Sequence, residues 1–247
     1  MKTHGNKVAV ITGAAGGIGQ ALCIGLAEQG ANIAAIDLNP CDATAGAVKA
    51  AGSQCLAIQC DVSDQDAVAA AAKQVMAHFG HADILINNAG IYPFASIEEL
   101  TYDVWRKVFA VNLDSMFLMV KAFLPGIKER GWGRIINLTS NSLNMSIKGL
   151  SHYKASKMGI IGFTRGLATD LAEYGITVNA IGPNLTATPG VESDPELKAI
   201  LDWVKTQQDI KRYATAQDYV GPVLYLTSDA ANYITGQAYM IDGGLSH

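Results

Sequence analysis

Apolar positions along the chain follow two alternating patterns. Short runs rich in Val, Ile and Leu read as strands, and each is followed by a longer stretch whose apolar residues recur at helical spacing. Val8–Thr12 precedes a predicted helix over 17–29, and a strand over 33–37 precedes a weaker helix over 43–51. A strand over 56–61 precedes a helix that opens on Ser63-x-x-Asp66, a capping-box-like start, and runs to Phe79. Ile84–Asn87 leads through a loop to a helix over 101–120, and a strand over 135–140 leads to a helix over 153–174. Strands over 177–181 and Ala238–Ile241 close the series. Seven strands separated by helices predict βαβ units, hence an α/β fold with one parallel sheet covered on both faces. With no internal repeat and no linker, residues 1–247 read as one domain.

The rhythm breaks once. Pro183, Pro189 and Pro195 punctuate a segment of mixed charge whose only helical stretch is 196–204. A long excursion after the carboxyl end of a strand is where binding loops sit, so 184–216 is expected to be a substrate lid.

Composition narrows the function classes. Apolar residues make up 49% and charged residues 16%, which supports a large core and excludes a disordered chain. A formal net charge of −4 argues against a nucleic-acid partner. No apolar run approaches the roughly 18 residues of a membrane span, and residues 1–7 lack a secretory apolar segment, so a cytoplasmic protein is expected. Cys23, Cys41, Cys55 and Cys60 make no C-x-x-C pair, and the five histidines show no ligand spacing, so no metal is implied.

The 25 glycines matter by position. Gly13, Gly17 and Gly19 lie between the first strand and the first helix, where a backbone turn can approach a pyrophosphate at a helix N-terminus. Asp37 ends the second strand 18 residues after Gly19, placed to accept from an adenosine ribose hydroxyl. Asp61-Val62 and Asn87-Asn88-Ala89-Gly90 end the third and fourth strands on the same edge. Tyr153 and Lys157 share one helix face at i and i+4. A nearby ammonium is expected to lower the phenol pKa and suit Tyr153 to proton exchange with a carbonyl or alcohol. Ser140, 13 residues earlier, ends a strand and can hydrogen-bond the reacting oxygen.

Taken together, these motifs, with Asn112 and the terminal Asp242-Gly243-Gly244, resemble the short-chain dehydrogenase/reductase family over nearly the whole chain. The resemblance implies a Rossmann fold, NAD as cofactor, a homotetramer and a catalytic set of Asn112, Ser140, Tyr153 and Lys157. In that set Tyr153 is the acid/base, Ser140 polarises the carbonyl, Lys157 binds the nicotinamide ribose, and Asn112 supports a water relay. It also implies cofactor contacts from Ile18, Asn88, Pro183 and Thr186. One departure is visible: the family's Pro-Gly after strand six reads Pro183-Asn184, and Asn is expected to keep the turn because it tolerates left-handed angles.

Within the family, Ile91-Tyr92-Pro93, residues 131–140 and His152-Tyr153 resemble the NAD-dependent 1-phenylethanol dehydrogenase subgroup, while Glu192-Ser193-Asp194 is faintly similar to the pyridoxal dehydrogenase type. Tyr92, Phe94, Leu143, Met145, Val191, Leu197 and Trp203 are expected to border the pocket, and His152 to be a rim or interface residue. That apolar wall points to a neutral secondary alcohol or ketone bearing a ring or a sizeable apolar group. Alternatives are a 3-oxoacyl-carrier-protein reductase, a sugar or polyol dehydrogenase and, remotely, a non-catalytic dinucleotide-binding protein.

Overall fold

The computed structural model describes residues 2–246. Among them are seven strands, β1 (Val8–Thr12), β2 (Asn32–Asp37), β3 (Cys55–Gln59), β4 (Ile84–Asn87), β5 (Gly133–Leu138), β6 (Ile176–Pro183) and β7 (Ala238–Ile241). They form one parallel sheet in the order β3-β2-β1-β4-β5-β6-β7. Chain order reverses between β1 and β4, and the two connections leaving those strands part to opposite faces. A crevice opens there at the carboxyl ends of the strands.

Alternation along each strand sends side chains to two separate cores. Ala9 and Ile11 of β1, with Ile33, Ile84 and Ile136, pack against α1 (Gly17–Glu28) and α9 (Val220–Leu226). Val10, with Ala34, Leu85 and Ile135, faces α3 (Gln65–Phe79), α5 (Ser115–Glu129) and α6 (Ser151–Leu171). The remaining helices are α2 (Asp42–Ala50), α4 (Tyr102–Phe109), α7 (Pro189–Ser193) and α8 (Pro195–Gln207).

Three local features differ from the sequence reading. The cap of α3 is Asp64, whose carboxylate accepts from the Asp66 and Ala67 amides at 2.8 and 2.9 Å. Ser63 instead turns back to Asp61, so the expected box does not form. The helix expected over 101–120 runs on to Glu129, and a π-helical turn, Ala110–Asp114, joins its halves α4 and α5. That fusion makes Tyr102–Glu129 long and apolar enough to cross a membrane by length and composition, which shorter runs in the sequence did not suggest. Met116, Met119, Val120, Phe123 and Ile127 on one face of it are buried against the sheet, as in a core helix. The excursion after β6 carries two helices, α7 and α8, where one was expected.

Candidate active site

The turn after β1 is built by its neighbours. Gly13 has φ 65°, and a Cβ there would lie 2.6 Å from Asn88 Nδ2, which donates to the carbonyls of Thr12 and Gly13 at 2.9 and 3.0 Å. A Cβ on Gly19 would lie 2.0 Å from the Gly13 carbonyl oxygen. Only glycine therefore lets helix α1 start this close to the strand. Thr12 Oγ1 accepts from the Asn88 and Ala89 amides, tying the ends of β1 and β4 together. No side chain caps the first turn of α1. Its amides and dipole are available to an anion, as a pyrophosphate site requires.

The acidic positions extend this edge toward β3. Asp37 accepts the Ala15 amide on one oxygen and the Asn39 amide on the other, at 3.0 and 2.8 Å, so its carboxylate is fixed beside the glycine turn. Asp61 accepts from the Ser63 hydroxyl and amide, which hold its pKa below the usual carboxylate range. Val62 beside it is buried. Glycine turn, Asp37 and Asp61-Val62 run in that order along one sheet edge, a fit to the pyrophosphate and adenosine half of a dinucleotide.

Ser140, Tyr153 and Lys157 line one cavity of about 420 Å³ together with Gly17, Ile18, Asn88, Pro183 and Thr186. Asn112 stands behind it, fully buried in the π-helical turn. It exchanges hydrogen bonds with the Ile91 backbone at 2.8 and 3.0 Å and donates to Ser156 Oγ at 3.1 Å. Gly90 lets this group assemble, because a Cβ there would sit 3.3 Å from Asn112 Oδ1 and 3.4 Å from Lys157 Nζ. Ser140 Oγ accepts the Ser142 amide and bonds the Ser142 hydroxyl, which fixes its rotamer at the end of β5.

The electrostatics correct one expectation. Burial pushes the Tyr153 phenol up to about 12, against the downward pull of its hydrogen bond from Ser140, and the neighbouring Tyr92 adds to the rise. Lys157 does not offset this. Its Nζ, 5.6 Å from the Tyr153 ring centroid, donates to the Leu138 carbonyl at 2.8 Å, and burial brings its own pKa down to about 8. Without ligand the tyrosine is held neutral, as a proton donor must be.

Met145, Val191, Leu197, Phe94 and Tyr92 line the cavity as expected; Leu143 and Trp203 are not among its lining residues. Trp203 is 45% exposed: Leu197, Ile200, Leu201 and Val204 recur at i, i+3, i+4 and i+7, and position 203 falls off that stripe. Leu143 lies in a short 3₁₀ turn, Asn141–Asn144. His152 is fully buried rather than on the rim. The loop carrying Tyr92 and Phe94 folds over the first turn of α6, bringing His152 Nε2 to 3.0 Å from the Pro93 carbonyl and the Ala95 amide to 3.0 Å from the Gly149 carbonyl. Ile147, Leu150, Leu185, Thr188 and Ile200 also line it without having been singled out in the sequence, as does Asn184, noted there only as a departure from the family pattern. For Ile200 the helical stripe was the available signal.

None of the lid's charged side chains lines the cavity. Asp194 caps α8, and Lys198 pairs with Asp202 at 3.0 Å. Among the described lining residues Lys157 alone carries a charge.

Known proteins were compared with this geometry in hand. A family profile described as Enoyl-(Acyl carrier protein) reductase matches residues 13–246. Nodulation protein G of Azospirillum brasilense is 39% identical over 98% of both chains. A 3-oxoacyl-[acyl-carrier-protein] reductase FabG of Staphylococcus epidermidis is 36% identical over 97% of this chain and 99% of its own. Among solved structures, a Serratia marcescens short-chain dehydrogenase/reductase variant superposes with a TM-score of 0.92 at 36% identity, covering 99% of this chain and 100% of the other.

Proposed function

The chain belongs to the short-chain dehydrogenase/reductase family, a family of oxidoreductases that bind a nicotinamide dinucleotide, and from that premise we propose its reaction. It transfers a hydride between NAD(H) and a neutral secondary alcohol or ketone bearing a ring or a sizeable apolar group, as in the 1-phenylethanol dehydrogenase type. The observation that carries this reading is the cavity. Ser140 and Tyr153 stand beneath a wall of Tyr92, Phe94, Met145, Val191, Leu197 and Ile200, with no acidic or second basic side chain to hold an ionised substrate.

The bound nicotinamide supplies or accepts the hydride at the carbonyl carbon; the chain does the rest. In reduction, Tyr153 gives its hydroxyl proton to the substrate oxygen while Ser140 Oγ–H donates a hydrogen bond to the same atom. Lys157 is proposed to bind the nicotinamide ribose and to return the proton to Tyr153, and Asn112 to anchor the water that feeds Lys157. In oxidation the proton runs backward along this path. The apolar wall excludes water and orients the ketone face.

NAD is preferred over NADP in this reading. A 2′-phosphate would meet the Asp37 carboxylate, and no Arg or Lys stands at Ala14, Ala15, Gly16, Leu38 or Asn39 to compensate. A cytoplasmic homotetramer completes the proposal. The assembly is supported by an open groove in which Leu113, Leu118, Phe163 and the half-exposed Phe117 lie beside Ser63, Gln65 and Asp114, with Met158 exposed on the same helix α6 as Phe163.

The names of the reductase relatives favour a second reading, reduction of a 3-oxoacyl thioester carried on an acidic carrier protein. Asp37 and the net charge of −4 argue against it, since that reaction calls for NADPH and a basic docking face. Initial rates with NADH and NADPH on three substrates separate the readings: an aryl methyl ketone, an acidic 2- or 3-oxo acid of similar size, and a 3-oxoacyl thioester. The highest kcat/KM is expected for NADH with the aryl ketone. A preference for the acid sinks the neutral-substrate assignment, and NADPH with the thioester selects the second reading. Light scattering tests the tetramer.

A further inference from the structure

Asn184 stands where the family pattern has glycine, and the expected reason for tolerating it, a left-handed backbone, is not the one the structure shows. Its φ is not positive; among the described non-glycine residues only Asn6 has that geometry. The side chain is used instead. It is buried, with Nδ2 donating to Gln208 Oε1 at 3.0 Å and to the Asp242 carbonyl at 3.2 Å, while Oδ1 accepts the Leu185 amide at 2.8 Å. Both donors and the acceptor are engaged, which makes the amide a rigid three-way joint.

The two arms of that joint lead to two elements that line the cavity, the lid helix and the turn after Ser140. Gln208 ends the lid helix α8 and donates to the Ile210 carbonyl at 2.5 Å and to the Arg212 carbonyl, so it also holds the lid's return path. The Ile210 amide in turn donates to the Gly243 carbonyl at 2.9 Å. On the other arm, the Asp242 carboxylate accepts the Gly244 and Ser246 amides and the Ser246 hydroxyl. Ser246 Oγ lies 3.1 Å from Asn141 Oδ1 and accepts from Asn144 Nδ2 at 3.2 Å. Asn141 and Asn144 bound the 3₁₀ turn whose cap is Ser140.

We infer that Asn184 is a positioning residue that couples the lid to the Ser140 loop through the C-terminal turn, so that seating the lid over a substrate sets the serine that polarises it. This rests on the reading of Ser140 proposed above. The connection is made of hydrogen bonds between neutral amides and hydroxyls plus the one Asp242 carboxylate, and each link has a defined length. A lid displaced at Gln208 therefore pulls on Asn184, on the C-terminal turn and finally on residues 141–144. Spatial continuity alone does not establish such coupling, so the test must read one end while the other is changed.

Amide hydrogen exchange does this without any substrate. Asn184→Gly, which restores the family residue and so keeps a backbone the fold accepts, is expected to speed exchange at 208–212 and also at 142–145 by about tenfold or more. Residues 142–145 are not touched by Asn184 directly. By reciprocity Ser246→Ala should speed exchange at 208–212 as well as at 142–145. NADH affinity, read by fluorescence, should stay within about twofold in Ser246→Ala, since Ser246 does not line the cavity. With a turned-over ketone, kcat should fall in each single variant, and the double variant should be no worse than the poorer single one. Exchange confined to the neighbourhood of each substitution, or kcat losses that multiply, overturns the coupling. Normal exchange coupling with no ketone turned over would leave it standing and refute the substrate reading instead.

Discussion

The two ends of the parallel sheet are built from different chemistry. At the carboxyl edge polar side chains bind backbone turns rather than one another's charges: Asn88 under the glycine turn, Asn112 behind the cavity, Asn184 at the lid base, and Asp37, Asp61 and Asp242 as acceptors of backbone amides. At the amino edge the work falls to charge. Asp83, fully buried, accepts the Val8 amide at 2.8 Å and Arg130 Nε at 2.8 Å, with Lys7 at 3.9 Å. Trp132 lies between the Lys7 ammonium, 3.4 Å from its centroid, and the buried Arg134 guanidinium, at 4.1 Å. Arg134 closes onto the Gly133 carbonyl, Asn232 and Asp229. At this edge ammonium, guanidinium and carboxylate groups are paired with one another. At the edge that receives a dinucleotide the first turn of α1 has no side-chain cap, so the ligand's phosphates meet free amides and a helix dipole rather than occupied cations.

This division can be broken at either end. The largest effect is expected from Tyr153→Phe, which keeps the ring and removes the proton: kcat should drop about 10²–10⁴-fold, with NADH affinity and melting temperature unchanged. A variant retaining more than about a tenth of wild-type kcat would refute the acid/base role. Lys157→Met should cost nearly as much in kcat and should also weaken NADH binding, visible as a raised Kd in fluorescence titration. At the other end, Asp83→Asn should leave kcat per folded molecule alone yet destabilise the protein by about 2–3 kcal/mol, because it weakens the charge-assisted hydrogen bonds that the buried carboxylate accepts from the Val8 amide and from Arg130. In a chain of this size that is a fall of very roughly 5–10 °C in melting temperature. A loss of activity at unchanged stability would erase the distinction between the edges.

Smaller effects sharpen it. Asp37→Ala should narrow the NAD preference about tenfold in kcat/KM, and an added Leu38→Arg should narrow it further. The last signal is in pH. Burial brings Lys157 down from 10.5 to about 8, so above pH 8 the unfolded chain holds a proton that the folded one has lost. Stability should therefore rise from about pH 8 toward 10. Tyr153, raised from 10.0 to about 12, works the other way and should halt the rise above pH 10. Urea melts of the ligand-free protein should show this climb, and Lys157→Met should flatten it.

Strand positions were legible where parallel strands buried on both faces leave continuous apolar runs, and Val8–Thr12 and Ile84–Asn87 match to the residue; the edge strand Ala238–Ile241, only partly buried, matches as well because its run is still apolar. The site was legible where spacing along one element decides it. Tyr153 and Lys157 share a helix face, and Gly13 and Gly19 share a turn. What pairwise spacing does not carry is environment. Burial outweighs the ammonium at Tyr153, a neighbouring loop covers His152, and at the α3 cap Asp64 reaches the amides before Ser63 does. Asn184 was legible only as a departure; its three partners lie 1, 24 and 58 residues away.

The π-helical turn at Ala110–Asp114 has one more consequence. An i→i+5 turn holds one residue more than the α-helical turn it replaces, and at about 100° per residue that extra residue sets the angular phase between the two halves of one long rod. On one side of it α4 hides Val108; on the other α5 hides Met116, Met119 and Phe123; between them Asn112 points at Ile91 and Ser156. Deleting a single residue here would shorten the rod by only about 1.5 Å. It would also swing one buried stripe about 100° away from the other and carry Asn112 off its bonds to Ile91 and Ser156. Loops elsewhere in the chain measure distance; this turn counts, and its count is the clock to which Asn112 is set.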